Sequence, residues 1–167
     1  MPTTWWRCEP RRLDRDLREV GECFSELTWV SHGAGGWVGR LPVWPFERPA
    51  PPGLDVLTSG TGLDMELHYG HAYPAAVPSI LPRDPEPDFE ARTHHRWHVL
   101  GDGSLCLLAQ PAQWTGRESV VELLLKAAGW RIEYALMTCG AIESMSLNGI
   151  VADPHLDELI TQVAGRG

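Results

Sequence analysis

The sequence predicts an α+β fold built from an N-terminal helix, an antiparallel four-stranded meander sheet, a loop and C-terminal helices. Three observations carry this expectation. A helical apolar stripe opens the chain, short strand-like segments then follow one another directly, and helical spacing returns only after residue 119. At 167 residues the chain has the size of one domain, taken as residues 1–167.

From Pro10, the residues Leu13, Leu17, Val20, Phe24 and Leu27 step by four, three, four and three, which keeps them on one stripe of a helix. Arg11, Arg15 and Arg18 fall on the opposite side as a basic, solvent-facing ridge. The ridge reads either as a solvated face or as a docking surface for an acidic partner.

Leu27 to Ser31 and Trp37 to Trp44 read as strands joined through the Gly-rich residues 33–36. After a Pro-rich loop, Arg48 to Gly53, the residues Leu63, Met65, Leu67 and Tyr69 alternate with Asp64, Glu66 and His68, the period of a half-buried strand. A fourth strand spans Val77 to Leu81 between Pro78 and Pro82, with Pro78 at an edge or a strand start. The stretch from Pro82 to Leu100 reads as irregular, and Gly101 and Gly103 mark a tight turn ahead of Cys106.

Val120, Leu123, Ala127, Trp130, Tyr134 and Met137 recur at helical spacing, with Glu122 and Lys126 as an i, i+4 pair on the other side and Gly129 as a point for a kink or an end. Asp153-Pro154 reads as an N-cap and first-turn proline, and Leu156, Leu159, Ile160 and Val163 form a last short helix.

The 14 Lys and Arg against 22 Asp and Glu leave a net charge of −8, which opposes binding to nucleic acid or to an anionic membrane. No stretch has the roughly 18 consecutive apolar residues of a membrane span and residues 1–16 hold no apolar leader, so a cytoplasmic location is expected. Cys8, Cys23, Cys106 and Cys139 are widely spaced without a C-x-x-C pair, as expected of free thiols. His94, His98 and Cys106 are three potential zinc ligands, but this stretch does not read as the helix the histidine spacing would need, and neither metal nor cofactor is expected. His94, His95 and His98 also admit a plain reading as surface histidines.

Tyr73-Pro74, then Val77-Pro78, a His-bearing stretch, Gly103-Ser104-Leu105-Cys106-Leu107, and Trp114 eight residues after Cys106 together resemble the core signature of ubiquitin-conjugating enzymes. The resemblance runs from about Leu63 to Leu125 and includes the first helix less closely. It implies a UBC-like fold with Cys106 as the thioester-forming residue. The family's asparagine, eight residues before the cysteine, is His98 here, and its preceding histidine is replaced by Arg96, with His95 one place further back. In this the chain looks like a bacterial branch of the family, some members of which lie in anti-phage defence operons beside a cyclic-oligonucleotide synthase.

The resemblance implies a transferase that receives an activated C-terminus on Cys106, from a ubiquitin-like protein or a nucleotide cyclase, and hands it to an amine or a thiol. His98 would act as oxyanion donor or base, with His95 as a second histidine of the site. The sequence holds no Gly-rich phosphate loop, so activation would come from a separate enzyme. Trp114 would pack behind the active-site loop, and Cys8, Cys23 and Cys139 would be structural. The other readings are a non-transferring adaptor of the same fold and a Cys–His hydrolase.

Overall fold

A computed structural model describes residues 3–167. Two N-terminal helices, α1 (Trp5–Cys8) and α2 (Pro10–Cys23), lead into β1 (Leu27–Val30) and β2 (Gly36–Leu41). A short α3 (Leu54–Thr58) precedes β3 (Leu63–His68) and β4 (Ser79–Asp84). Then come α4 (Phe89–Thr93), two 3₁₀ turns at His95–Trp97 and Pro111–Gln113, the long α5 (Val120–Thr138), α6 (Gly149–Ala152) and α7 (His155–Ala164). The four strands pair antiparallel in the order β1-β2-β3-β4, a meander.

The α+β architecture follows from where apolar side chains can be buried. In β3, Leu63, Met65 and Leu67 are at most 1% exposed while Asp64, Glu66 and His68 face outward. Each of those three contributes about 1.5–3 kcal/mol relative to an exposed position. Helix α5 lies against this sheet and is buried along most of its length, from Val120 to Met137. Leu54, Ile132, Leu136, Ile150, Leu156 and Ile160 form a second apolar cluster joining α5 to α3, α6 and α7, and Phe46 and Ile142 pack against both.

Several sequence expectations shift in register. Helix α2 stops at Cys23, so Phe24 caps it and Leu27 begins β1. Its buried face is Arg12, Asp16 and Val20, whereas Leu17 is 37% exposed. A polar pair can occupy that face because its groups are satisfied there. Arg12 Nε donates to Asp16 Oδ1 (3.0 Å) and Tyr73 Oη (2.8 Å), Tyr69 and Tyr73 donate to Asp16 Oδ2 (3.0 and 2.6 Å), and the remaining Arg12 nitrogens donate to the carbonyls of Gly116 and Glu118.

The fourth strand begins after Pro78 and runs through Pro82 to Asp84, which an edge strand tolerates because one side of its backbone has no ladder to complete. Residues 82–100, read as irregular, contain α4 and a 3₁₀ turn, with Asp88 capping α4 by accepting from the Ala91 N–H at 2.8 Å. Helix α5 runs on through Gly129 to Thr138. A Cβ there would come within 2.8 Å of Ile150 Cγ2, so this glycine admits α6 close against the helix. Pro154, not Asp153, is the residue preceding α7, and Asp153 accepts from the His155 N–H (3.1 Å). Among the described residues no helix is long and apolar enough to cross a membrane.

Candidate active site

Cys106 lies on the return strand of a small hairpin. Gly103, at φ +89°, turns the chain after Leu100, and its N–H donates to the Leu100 carbonyl (2.9 Å). Leu100 N–H then bonds Ser104 O (2.8 Å), Val99 bridges Leu105, and Cys106 N–H donates to His98 O (2.8 Å). Asp102 fixes the turn by accepting from both the N–H (2.9 Å) and the hydroxyl (2.6 Å) of Ser104. Val99 and Leu105 are buried, whereas Cys106 is exposed and His98 half-buried.

His98 closes the 3₁₀ turn His95–Trp97 in the left-handed region, φ 51° and ψ 39°. For a residue with a Cβ this costs on the order of 1 kcal/mol or more, and the packing that enforces it is visible. Trp97 is buried, the Trp130 indole N–H donates to its carbonyl (2.9 Å), and Met145 N–H bonds Arg96 O (3.0 Å). The turn is thereby clamped to α5. Half-burial lowers the pKa of His98 below its ordinary value and favours the neutral imidazole, which has one N–H to donate and one lone pair to accept.

Cys106 and His98 line one cleft of about 240 Å³, together with His95, Lys126, Glu133 and Asn148. Cys106 is exposed, and so are Cys8, Cys23 and Cys139, which are not the buried small residues that a structural reading requires. All four thiols are free. What sets Cys106 apart is its surroundings rather than its exposure.

Lys126, read as half of a surface pair with Glu122, instead donates from Nζ to the Leu107 carbonyl (3.3 Å), next to Cys106 in sequence. Lys126, Trp130 and Glu133 fall at i, i+4 and i+7, so one stripe of α5 forms the cleft wall. Two charged residues, Lys126 and Glu133, on a mostly apolar helix were the signal available for this wall; Asn148 and Ser146 carried none.

Trp114 is buried behind the loop, its indole N–H donating to Pro74 O (2.9 Å), which joins two separated pieces of the sequence signature. The arginine ridge is not uniform. Arg11 and Arg18 are exposed, but Arg15 is half-buried, pairs with Glu19 (2.9 Å) and donates to the Arg117 carbonyl (2.8 Å). It is committed to the loop ahead of α5. Among the described residues no three His, Cys, Asp or Glu side chains gather as a metal-binding group, and His94 is absent from the cleft.

Comparison with protein families, curated proteins and solved structures finds no match to this chain.

Proposed function

We propose that this chain is a ubiquitin-conjugating-enzyme-like transferase that carries an activated C-terminus as a thioester on Cys106 and passes it to an acceptor. The observation that best supports the reading is the pairing of Cys106 with His98 across a hairpin at the wall of a cleft. In loading, Cys106 Sγ bonds the carbonyl carbon of an incoming thioester and the donor's thiol leaves. An exposed sulfur suits a donor as bulky as a protein.

In discharge, the attacked carbonyl becomes an oxyanion, and neutral His98 has the N–H to stabilise it. Loss of one such donor costs about 3–4 kcal/mol. His95, exposed at the start of the same turn and lining the same cleft, is a second imidazole within the site. The cargo is the C-terminus of a ubiquitin-like protein or, on the resemblance to the bacterial defence branch, of a nucleotide cyclase, delivered by a separate activating enzyme. Arg11 and Arg18 are the exposed cations of the helix that would meet an acidic partner.

A peptide ending in a glycyl thioester tests the reading directly. Incubation with the full chain should yield one dominant adduct, cleaved by hydroxylamine, that Cys106→Ala removes and that Ala at Cys8, Cys23 or Cys139 leaves in place. An adduct unaffected by Cys106→Ala overturns the assignment. Rapid release of free peptide without an accumulating or transferable adduct would instead mark a Cys–His hydrolase, and no adduct at all an adaptor.

A further inference from the structure

Of the 14 Lys and Arg residues thirteen are arginine, and the one lysine, Lys126, lines the cleft that holds Cys106. It is half-buried on α5 and, with Glu122 one turn before it, still forms no ion pair among the described residues. Surface charge, which the chain supplies with arginine, does not account for it. Its Nζ donates instead to the Leu107 carbonyl (3.3 Å), one residue beyond Cys106.

That carbonyl lies in a stretch with little else to orient it. Leu107, Leu108 and Ala109 make no backbone–backbone hydrogen bond among the described residues. The side chains of Leu107 and Leu108 rest half-buried against the core, which anchors them but leaves their peptide planes free to turn. Two side chains supply the missing main-chain bonds: Lys126 at the Leu107 carbonyl, and Gln113, whose Oε1 accepts from the Ala109 N–H (2.8 Å). Between them lies the Leu108 carbonyl, which Cys106 Sγ approaches to 4.0 Å. The ammonium and the thiol therefore meet successive carbonyls of one short segment. Leu108 and Lys126 also line a second groove, of about 230 Å³, with Trp114 and Glu122, so this tie is part of the partition between groove and cleft.

We infer that Lys126 is a positioning residue for the thioester chemistry: by holding the Leu107 carbonyl it fixes the course of the chain that leaves Cys106, and with it the direction in which the loaded sulfur faces the cleft. This rests on the thioester reading of Cys106. The peptide joining Leu107 to Leu108 is planar and its atoms turn as one. A donor on its oxygen therefore sets both the Leu107 Cα next to Cys106 and the Leu108 Cα from which the carbonyl beside the sulfur springs. An ammonium is a firmer anchor than a neutral donor, because a charge-assisted hydrogen bond is roughly twice as strong. It also carries no lone pair, so the one amine that stands near the thioester is kept from attacking it.

The test uses the full chain with Lys126→Met, which keeps the stem and loses the donor, and Lys126→Arg, which keeps a charged donor. Each is loaded with the glycyl peptide thioester and discharged to n-butylamine. Cys106 is separately alkylated with iodoacetamide across pH and followed by peptide mapping. Lys126→Met should slow loading and discharge about tenfold or more, since misplacement by about 1 Å can cost a hundredfold. Alkylation by the small reagent, which needs no set direction, should keep its rate within about twofold and its pH midpoint. Lys126→Arg should recover transfer to within about threefold of the parent. Lys126→Gln, a neutral donor on a shorter stem, should fall between the two and carries the test if Lys126→Met fails to fold. Transfer at the parent rate in Lys126→Met, slowing that arginine does not relieve, or a shifted alkylation midpoint overturns the positioning role while the carrier reading stands. So does a hydroxylamine-resistant adduct of the peptide on Lys126 itself. Absence of a Cys106-dependent adduct in the parent chain overturns both.

Discussion

The backbone N–H of Cys106 donates to the backbone carbonyl of His98 at 2.8 Å, so an exposed cysteine and a half-buried histidine stand opposite each other in the register of a short hairpin. The bond uses only main-chain atoms. It leaves the His98 imidazole unengaged and Cys106 Sγ with only a long 4.0 Å contact to the Leu108 carbonyl, while the relative position of the two residues is held by the Val99–Leu105 bridge and the Leu100–Ser104 bond behind them.

With Cys106 loaded, His98→Ala should let the adduct accumulate and slow its discharge to an amine about a hundredfold, since an oxyanion donor acts on the transition state of transfer. Single-turnover discharge measured by intact mass checks this. A normal rate in His98→Ala would assign the donor elsewhere, with His95 the next to replace.

Stability should respond to pH at His98 and Glu133 in opposite ways. Burial lowers the folded pKa of His98, so the unfolded chain takes up its proton first, and stability is lost as pH falls from about 7 through the ordinary histidine range. Burial raises the folded pKa of Glu133, so its contribution is present below the ordinary carboxyl range and lost as pH rises through the folded value. His98→Asn should therefore flatten the fall in melting temperature between about pH 7 and 5, and Glu133→Gln should raise it most at about pH 8. A Glu133→Gln protein that melts lower than the parent at pH 8 would refute the second expectation.

Breaking the buried pair of α2 should be expensive. Asp16→Ala leaves Arg12, 7% exposed, without its counterion, and removes the acceptor of two tyrosine hydroxyls. A loss of about 3–5 kcal/mol is expected in urea unfolding. Because Arg12 also holds the Gly116 and Glu118 carbonyls, added protease should cut the segment after Trp114 faster in this variant.

Gly129→Ala reverses the usual rule for helix glycines. At an open helical site the change stabilises by about 1 kcal/mol. Here the new methyl would meet Ile150 and Val151, with Ile150 fully buried, and a net loss of about 1–3 kcal/mol is expected. Thermal unfolding decides the sign.

The arginines of α2 should separate. Arg15→Glu loses its pairing with Glu19 and its bond to the Arg117 carbonyl, and should lower stability measurably. Arg11→Glu and Arg18→Glu should change it by no more than about 0.5 kcal/mol, as exposed positions do. Urea midpoints of the three single variants provide the comparison.

Local pattern alone indicated three or four antiparallel strands, the two long helices and the tight turn before Cys106, because periods of two and 3.6 and the demands of Gly103 are written in neighbouring residues, whereas the order β1-β2-β3-β4 is a property of the folded sheet. The same pattern misread Arg12 and Asp16, because burial of a polar pair depends on Tyr69, Tyr73 and two carbonyls more than 50 residues away. Cys106 and His98 were singled out by their place in a motif, and the turn between them was legible at Gly101 and Gly103, but the pairing of His98 with Cys106 came only with the structure. Only the tertiary structure decided that α5 supplies the facing wall. Which side of a nearly all-apolar helix meets the loop is set by how Trp130 seats against Trp97 and by the space Gly129 leaves for α6, and that seating brings Lys126 and Glu133 to the cleft that Cys106 lines.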